Sequence, residues 1–147
     1  MENYDKDTYF VAVKVFLRDG DKLLVLYDKF GAWDLPGGRI KPDEFETPLE
    51  DIITRKMREE VGGAVKFSAP KPVNIYFRVE RIEARLNRKV RIFAVGYEAE
   101  YKGGEIIMGE SMELYEWVDV NTFRPEDTFE VGWLKGVKEY LQIVRGE

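Results

Sequence analysis

Apolar and polar positions alternate in two rhythms along this chain, and the change from one to the other marks its elements. Tyr9–Leu17 and Leu23–Tyr27 are apolar runs on either side of Arg18-Asp19-Gly20-Asp21, a pattern that predicts a β-hairpin. A short segment then ends at Leu35-Pro36-Gly37-Gly38, where two glycines permit a tight turn. From Leu49 the rhythm changes. Leu49, Ile52, Ile53, Met57 and Val61 recur at helical spacing and form one apolar stripe. Thr47 is the expected N-cap, with Pro48 at the first helical position and Glu50 closing a capping box. Gly62-Gly63 ends the helix.

The pattern returns to strands at Val73–Ala84 and Val90–Tyr101, joined around Leu86-Asn87-Arg88. After Lys102-Gly103-Gly104, short strands are expected at Glu105–Met108 and Leu114–Val118. Trp133, Leu134, Val137, Tyr140, Leu141 and Val144 then share one helical face despite the intervening Gly136. Hairpins mixed with helices predict an α/β (α+β) protein: a mixed sheet between helices, in one domain over residues 1–147.

Composition narrows the chemistry. The chain has no cysteine, which excludes disulfides, thiolate metal sites and cysteine nucleophiles. It has no histidine either, so acid–base and metal chemistry falls to carboxylates, Tyr or Lys. Carboxylates favour hard cations such as Mg2+ or Mn2+. A net charge of −5 argues against nucleic-acid and anionic-membrane partners. The polar start, MENYDKD, is unlike a signal peptide, and no apolar run is long enough to span a bilayer. A cytoplasmic location is the expectation.

The helix after the glycine turn holds the candidate site. At about 100° per residue, Lys56 and Glu60 project onto the apolar side, with Glu59 on its flank. Buried charges need partners. An i, i+4 ion pair between Lys56 and Glu60 satisfies this. The alternative is a metal held by Glu59 and Glu60 beside the turn.

Gly38, the acids after it and Arg55-Lys56-Met57-Arg58-Glu59-Glu60-Val61-Gly62 resemble the signature box of the Nudix hydrolase family. The leading segment Trp33–Gly38 and Trp117–Phe123, similar to the family's final strand and following turn, extend the likeness across nearly the whole chain. The resemblance implies an α/β/α sandwich and water attack on the diphosphate of a nucleoside diphosphate joined to another group. That substrate is a nucleotide sugar, an ADP-ribose-like compound or a nucleoside triphosphate. Mg2+ or Mn2+ is then held by Gly38, Glu59 and Glu60, with Glu60 the main ligand. Glu110 and Glu113 become candidate loop acids for catalysis, and Arg39 and Lys56 diphosphate contacts. Arg55 and Gly62 become structural. A homodimer is compatible with the family.

Three departures stand out. Lys56 occupies the position of the family's catalytic glutamate. The spacing from Gly38 to Arg55 is three residues too long, so the acid that pairs with Arg55 is either Glu44 or Glu46. Gly63 replaces an apolar residue. The box also resembles that of the GDP-mannose mannosyl hydrolase branch, which lacks the same glutamate but uses a histidine that this chain does not have. The missing glutamate keeps a second reading in play: a catalytically weak Nudix-fold module that binds a nucleotide or a protein. Tyr9, Phe30, Trp33, Tyr76 and Phe77 are aromatic candidates for stacking on a base.

Overall fold

The computed structural model describes residues 5–147; the first four residues of the MENYDKD segment lie outside the described part. The strands are β1 (Phe10–Asp19), β2 (Lys22–Asp28), β3 (Trp33–Asp34), β4 (Gly37–Arg39), β5 (Lys71–Glu83), β6 (Arg88–Glu100) and β7 (Met112–Asp119). The helices are α1 (Leu49–Val61) and α2 (Trp133–Val144), with 3-10 turns at Pro42–Glu44 and Pro125–Asp127. The strands form one mixed sheet in the order β3-β2-β1-β6-β5, with β4 added on β1 and β7 on β2. β1 runs parallel to β6, and the remaining pairs are antiparallel.

The two faces of β1 explain the layering. Val13, Val15 and Leu17 pack with Ile52, Ile53 and Met57 of α1. Ala12 and Phe16, of opposite parity, pack with Val137, Tyr140 and Leu141 of α2. The expected sandwich is therefore present, with α1 and α2 on opposite faces of the sheet. No helix among the described residues is long and apolar enough to cross a membrane.

Gly136 is where α2 meets the sheet most closely. A Cβ there would stand 2.4 Å from a ring carbon of the buried Phe77. Alanine gains about 1 kcal/mol in helix propensity, but the ring it meets is buried and packed against Trp133. Gly136→Ala is expected to lower stability by about 1–3 kcal/mol net, measured by chemical denaturation.

Three local expectations are corrected. Thr47 does not cap α1: Pro48 is the N-cap residue, with no side-chain cap bond, and its carbonyl accepts the N–H groups of Asp51 and Ile52. The capping carboxylate acts earlier, where Glu44 accepts the Lys41 N–H at 2.9 Å. Glu105–Met108 is not a strand. This segment instead lies across the end of α1, where Ile107 N–H donates to the Val61 carbonyl and Gly109 N–H to that of Glu60. Helix ends leave carbonyls unpaired, and satisfying them here outweighs pairing with the sheet. The β5–β6 hairpin is as expected, turning at Asn87 with a φ of +50°.

Candidate active site

The site begins with a turn that only glycine permits. Gly37 has a φ of +135°, and a Cβ on it would lie 2.0 Å from the Val13 carbonyl oxygen. The chain can therefore press β4 against β1, with Val13 opposite Gly38 and Lys14 opposite Gly37. This places the turn beside the last turns of α1, and the Gly37 N–H donates to Glu60 Oε1 at 2.9 Å.

Glu60 is buried at 6% exposure. Burial pushes its carboxyl up to about 7, against the opposing pull of Lys14, and Asp34 adds to the rise. Lys14 is buried too. Its ammonium lies 3.0 Å from Asp34 Oδ1, donates to the Leu35 carbonyl at 3.3 Å and sits 5.0 Å from the Trp133 ring centre. The sequence reading missed this pair. Its signal was a lysine in the middle of the apolar run Tyr9–Leu17, which a buried strand tolerates only with a partner.

Arg55 settles the spacing problem. It donates to both oxygens of Glu44, Nε to Oε2 at 2.7 Å and Nη2 to Oε1 at 2.8 Å. Glu46 is exposed and makes no such contact. The three extra residues are taken up in the loop between the Pro42–Glu44 turn and α1. The fork of two hydrogen bonds holds the Glu44 carboxyl below its usual range. Its contribution to stability is therefore present above pH 4.5 and is lost as the pH falls through the lowered value. Arg55→Ala is expected to lower the thermal midpoint by about 5 °C at neutral pH, with a smaller effect in acid. An unchanged midpoint would place the pair among surface bridges of no consequence.

Lys56 occupies the centre of the arrangement. Its Nζ donates to Glu59 Oε1 at 3.2 Å and lies 3.7 Å from Glu60 Oε2. The ion pair foreseen from the i, i+4 spacing is thus present, and Glu59 shares it. The lysine stem crosses Gly38 so closely that a Cβ there would be 2.2 Å from Lys56 Cε. Arg55 Nη1 also donates to Glu59 Oε2 at 3.0 Å. Burial raises the Glu59 pKa, but the hydrogen bonds from Arg55 and Lys56 outweigh it and leave the carboxyl below its usual value.

Gly38, Glu59 and Glu60, the expected metal ligands, therefore all face an ammonium group. Among the described residues no three acidic side chains are grouped to hold an ion. In this arrangement the Lys56 ammonium is the cation that Glu59 and Glu60 share. Glu110 and Glu113 are exposed, one in the turn after Gly109 and one on β7. Neither is among the residues that line the cleft beside Lys56.

That cleft has a volume of about 570 Å3. Arg39, Lys41, Arg55, Lys56 and Arg85 line it, against only two carboxylates, Glu59 and Glu83. Arg39 Nη2 donates to Glu83 Oε2 at 2.6 Å, and this contact draws the Glu83 carboxyl down to about 2. The β5–β6 turn brings in Arg85 and Leu86, which had no motif to mark them. Of the aromatic candidates none lines the cleft: Phe77 is core, Trp33 packs on Tyr27, Tyr9 and Tyr76 lie against Phe93, and Phe30 is exposed. Phe10 lines it instead, 5.4 Å from the Arg39 guanidinium carbon.

Comparison with solved structures gives the same architecture. The MutT protein of Methanosarcina mazei superposes with a TM-score of 0.73 at 20% identity, covering 95% of this chain and 96% of that one. An ADP-ribose pyrophosphatase of Streptococcus suis gives 0.64 at 19% identity, covering 95% of both chains. A UDP-X diphosphatase gives 0.59 at 13% identity, covering 97% of this chain and 66% of that one. At these identities the likeness is one of fold. No curated protein matches the sequence. The family model of the NUDIX domain matches residues 8–136, which takes in the glycine turn, α1, the cleft and the start of α2; this chain belongs to the NUDIX family.

Proposed function

We propose that this chain hydrolyses the diphosphate linkage of a nucleoside diphosphate joined to another group: a nucleotide sugar, an ADP-ribose-like compound or a nucleoside triphosphate. The observation that carries this reading is the cleft, where five cations converge beside the family's glycine turn in a chain whose net charge is −5. Arg39, Lys41 and Lys56 hold the diphosphate, since guanidinium and ammonium groups match phosphate oxygens. Glu59, ionised and lining the cleft, orients the attacking water. Glu60 lies behind it and sets the charge beneath Lys56. Glu110 and Glu113 enter the reaction only if the segment after Gly109 closes on bound substrate. Mg2+ or Mn2+ serves the cleavage step, as a chelate of the substrate's own diphosphate, and is not required for the diphosphate to bind. The setting is cytoplasmic, and the partner is a small nucleotide.

A screen of nucleoside triphosphates, dinucleotides, ADP-ribose and nucleotide sugars tests this. Each is run with Mg2+, with Mn2+ and with chelator, reading released nucleoside monophosphate and phosphate. Turnover of one substrate class, lost in Glu59→Gln, is expected. The Lys56 substitution favours a second reading, a NUDIX-fold module that binds a nucleotide without cleaving it. Tight binding with no turnover of any substrate selects that reading.

A further inference from the structure

We propose that this site binds the diphosphate of its nucleotide without any divalent ion, with the Lys56 ammonium standing where a protein-held metal would stand. The ligand class rests on the function proposed above. The mode of binding rests on three observations of its own.

The first is the placement of Lys56. Its ammonium is 3.2 Å from Glu59 and 3.7 Å from Glu60, and its stem lies over Gly38. An ion entering between these carboxylates must first displace the lysine, and the displaced ammonium then repels it. The second is the count of hydrogen-bond donors. An ammonium has three N–H groups, and Glu59 takes one in a hydrogen bond. The side chain is 21% exposed on the cleft side, so it can add a phosphate oxygen without surrendering its carboxylates. The third is the surplus of charge. Five cations line the cleft, and with Glu44 on Arg55 and Glu60 near Lys56 counted beside Glu59 and Glu83, one positive charge is left unmatched. Among the described residues Lys41 makes no ion pair, and Arg85 is an exposed side chain 3.3 Å from Glu83. A diphosphate is the complement of such a surplus. Phe10, Ile40 and Leu86 supply an apolar wall of the same cleft for the rest of the molecule.

The test is calorimetric titration of inorganic pyrophosphate and of a non-hydrolysable methylene analogue of ADP into metal-stripped protein in EDTA. One-site binding is expected, with affinity changed less than about threefold by Mg2+. Lys56→Met is expected to weaken it at least about tenfold, the factor that losing one charge-assisted hydrogen bond brings. Lys138→Met, on the outer face of α2, leaves it unchanged. If Lys56→Met does not fold, as judged by circular dichroism, the exposed Lys41→Met carries the same test with the same expected direction. Binding by the parent only when Mg2+ is present overturns the proposal, as does binding that a folded Lys56→Met does not weaken or, where that variant does not fold, binding that Lys41→Met does not weaken. A protein that binds in EDTA yet cleaves nothing keeps this inference and loses the proposed hydrolysis. One that cleaves but binds only with metal does the reverse.

Discussion

Glu60→Gln is expected to lower turnover at least about a hundredfold while leaving the fold intact and making the protein more stable above neutral pH. The amide oxygen of glutamine can still accept the Gly37 N–H, so the turn keeps its anchor. What disappears is the titrating carboxyl beneath Lys56. The stability effect has a definite sign. The carboxyl titrates at 4.5 in the unfolded chain and at about 7 in the folded one, raised by burial. Between those values the folded protein keeps a proton that the unfolded chain has released. Stability from this group is therefore complete below pH 4.5 and is lost as the pH rises through about 7. The loss is of the order of 3 kcal/mol. Glutamine does not titrate, so the variant lacks this slope. Denaturant titrations in EDTA at pH 5 and pH 8.5 measure it: the variant gains on the parent at the higher pH. Equal pH slopes in the two proteins would show that Glu60 is ionised at neutral pH, and full activity would remove it from the site.

Lys56→Glu is expected to add a metal-binding site on α1. It restores the family's carboxylate and brings three acids to one face of α1, with Glu59 and Glu60 already within 3.2 and 3.7 Å of the lysine nitrogen. Without metal the three charges repel, and stability is expected to fall by about 1–3 kcal/mol. With Mg2+ or Mn2+ the variant should bind at least one ion that the parent does not, because hard cations take oxygen ligands in this number. Pyrophosphate binding in EDTA should be lost. Turnover higher than the parent's would mark the lysine as a loss of function, and lower turnover as a specialised phosphate contact. Calorimetric titration of metal into both proteins decides the central point. Identical stoichiometry and affinity would show that Lys56 does not stand in for a cation.

Much of the fold could be read from periodicity. The β1–β2 hairpin, the apolar stripe of α1 and the six-residue face of α2 all follow from local spacing, because each element buries one side against the sheet. The failures have a common cause. Glu105–Met108 has a strand's composition, but its backbone groups bond to the end of α1, and no local pattern encodes that choice. Thr47 and Glu50 spell a capping box, while the capping carboxylate actually acts at Glu44, where the Arg55 fork holds it.

The site divides in the same way. From the residues alone came the chemistry: no histidine, no cysteine, paired acids at Glu59 and Glu60, and a lysine at position 56 that spacing alone pairs with Glu60. Those are properties of residue type and of i, i+4 geometry, which are local. The tertiary structure alone decided that Arg55 takes Glu44 and not Glu46, that Lys14 and Asp34 lie within electrostatic reach of Glu60, and that Arg39, Lys41 and Arg85 join Lys56 around one cleft. These contacts link positions far apart in the chain, brought together by β4 folding onto β1 and by the β5–β6 turn. Long-range pairing of charges depends on which surfaces the core brings into register, and no spacing within a single element carries that information.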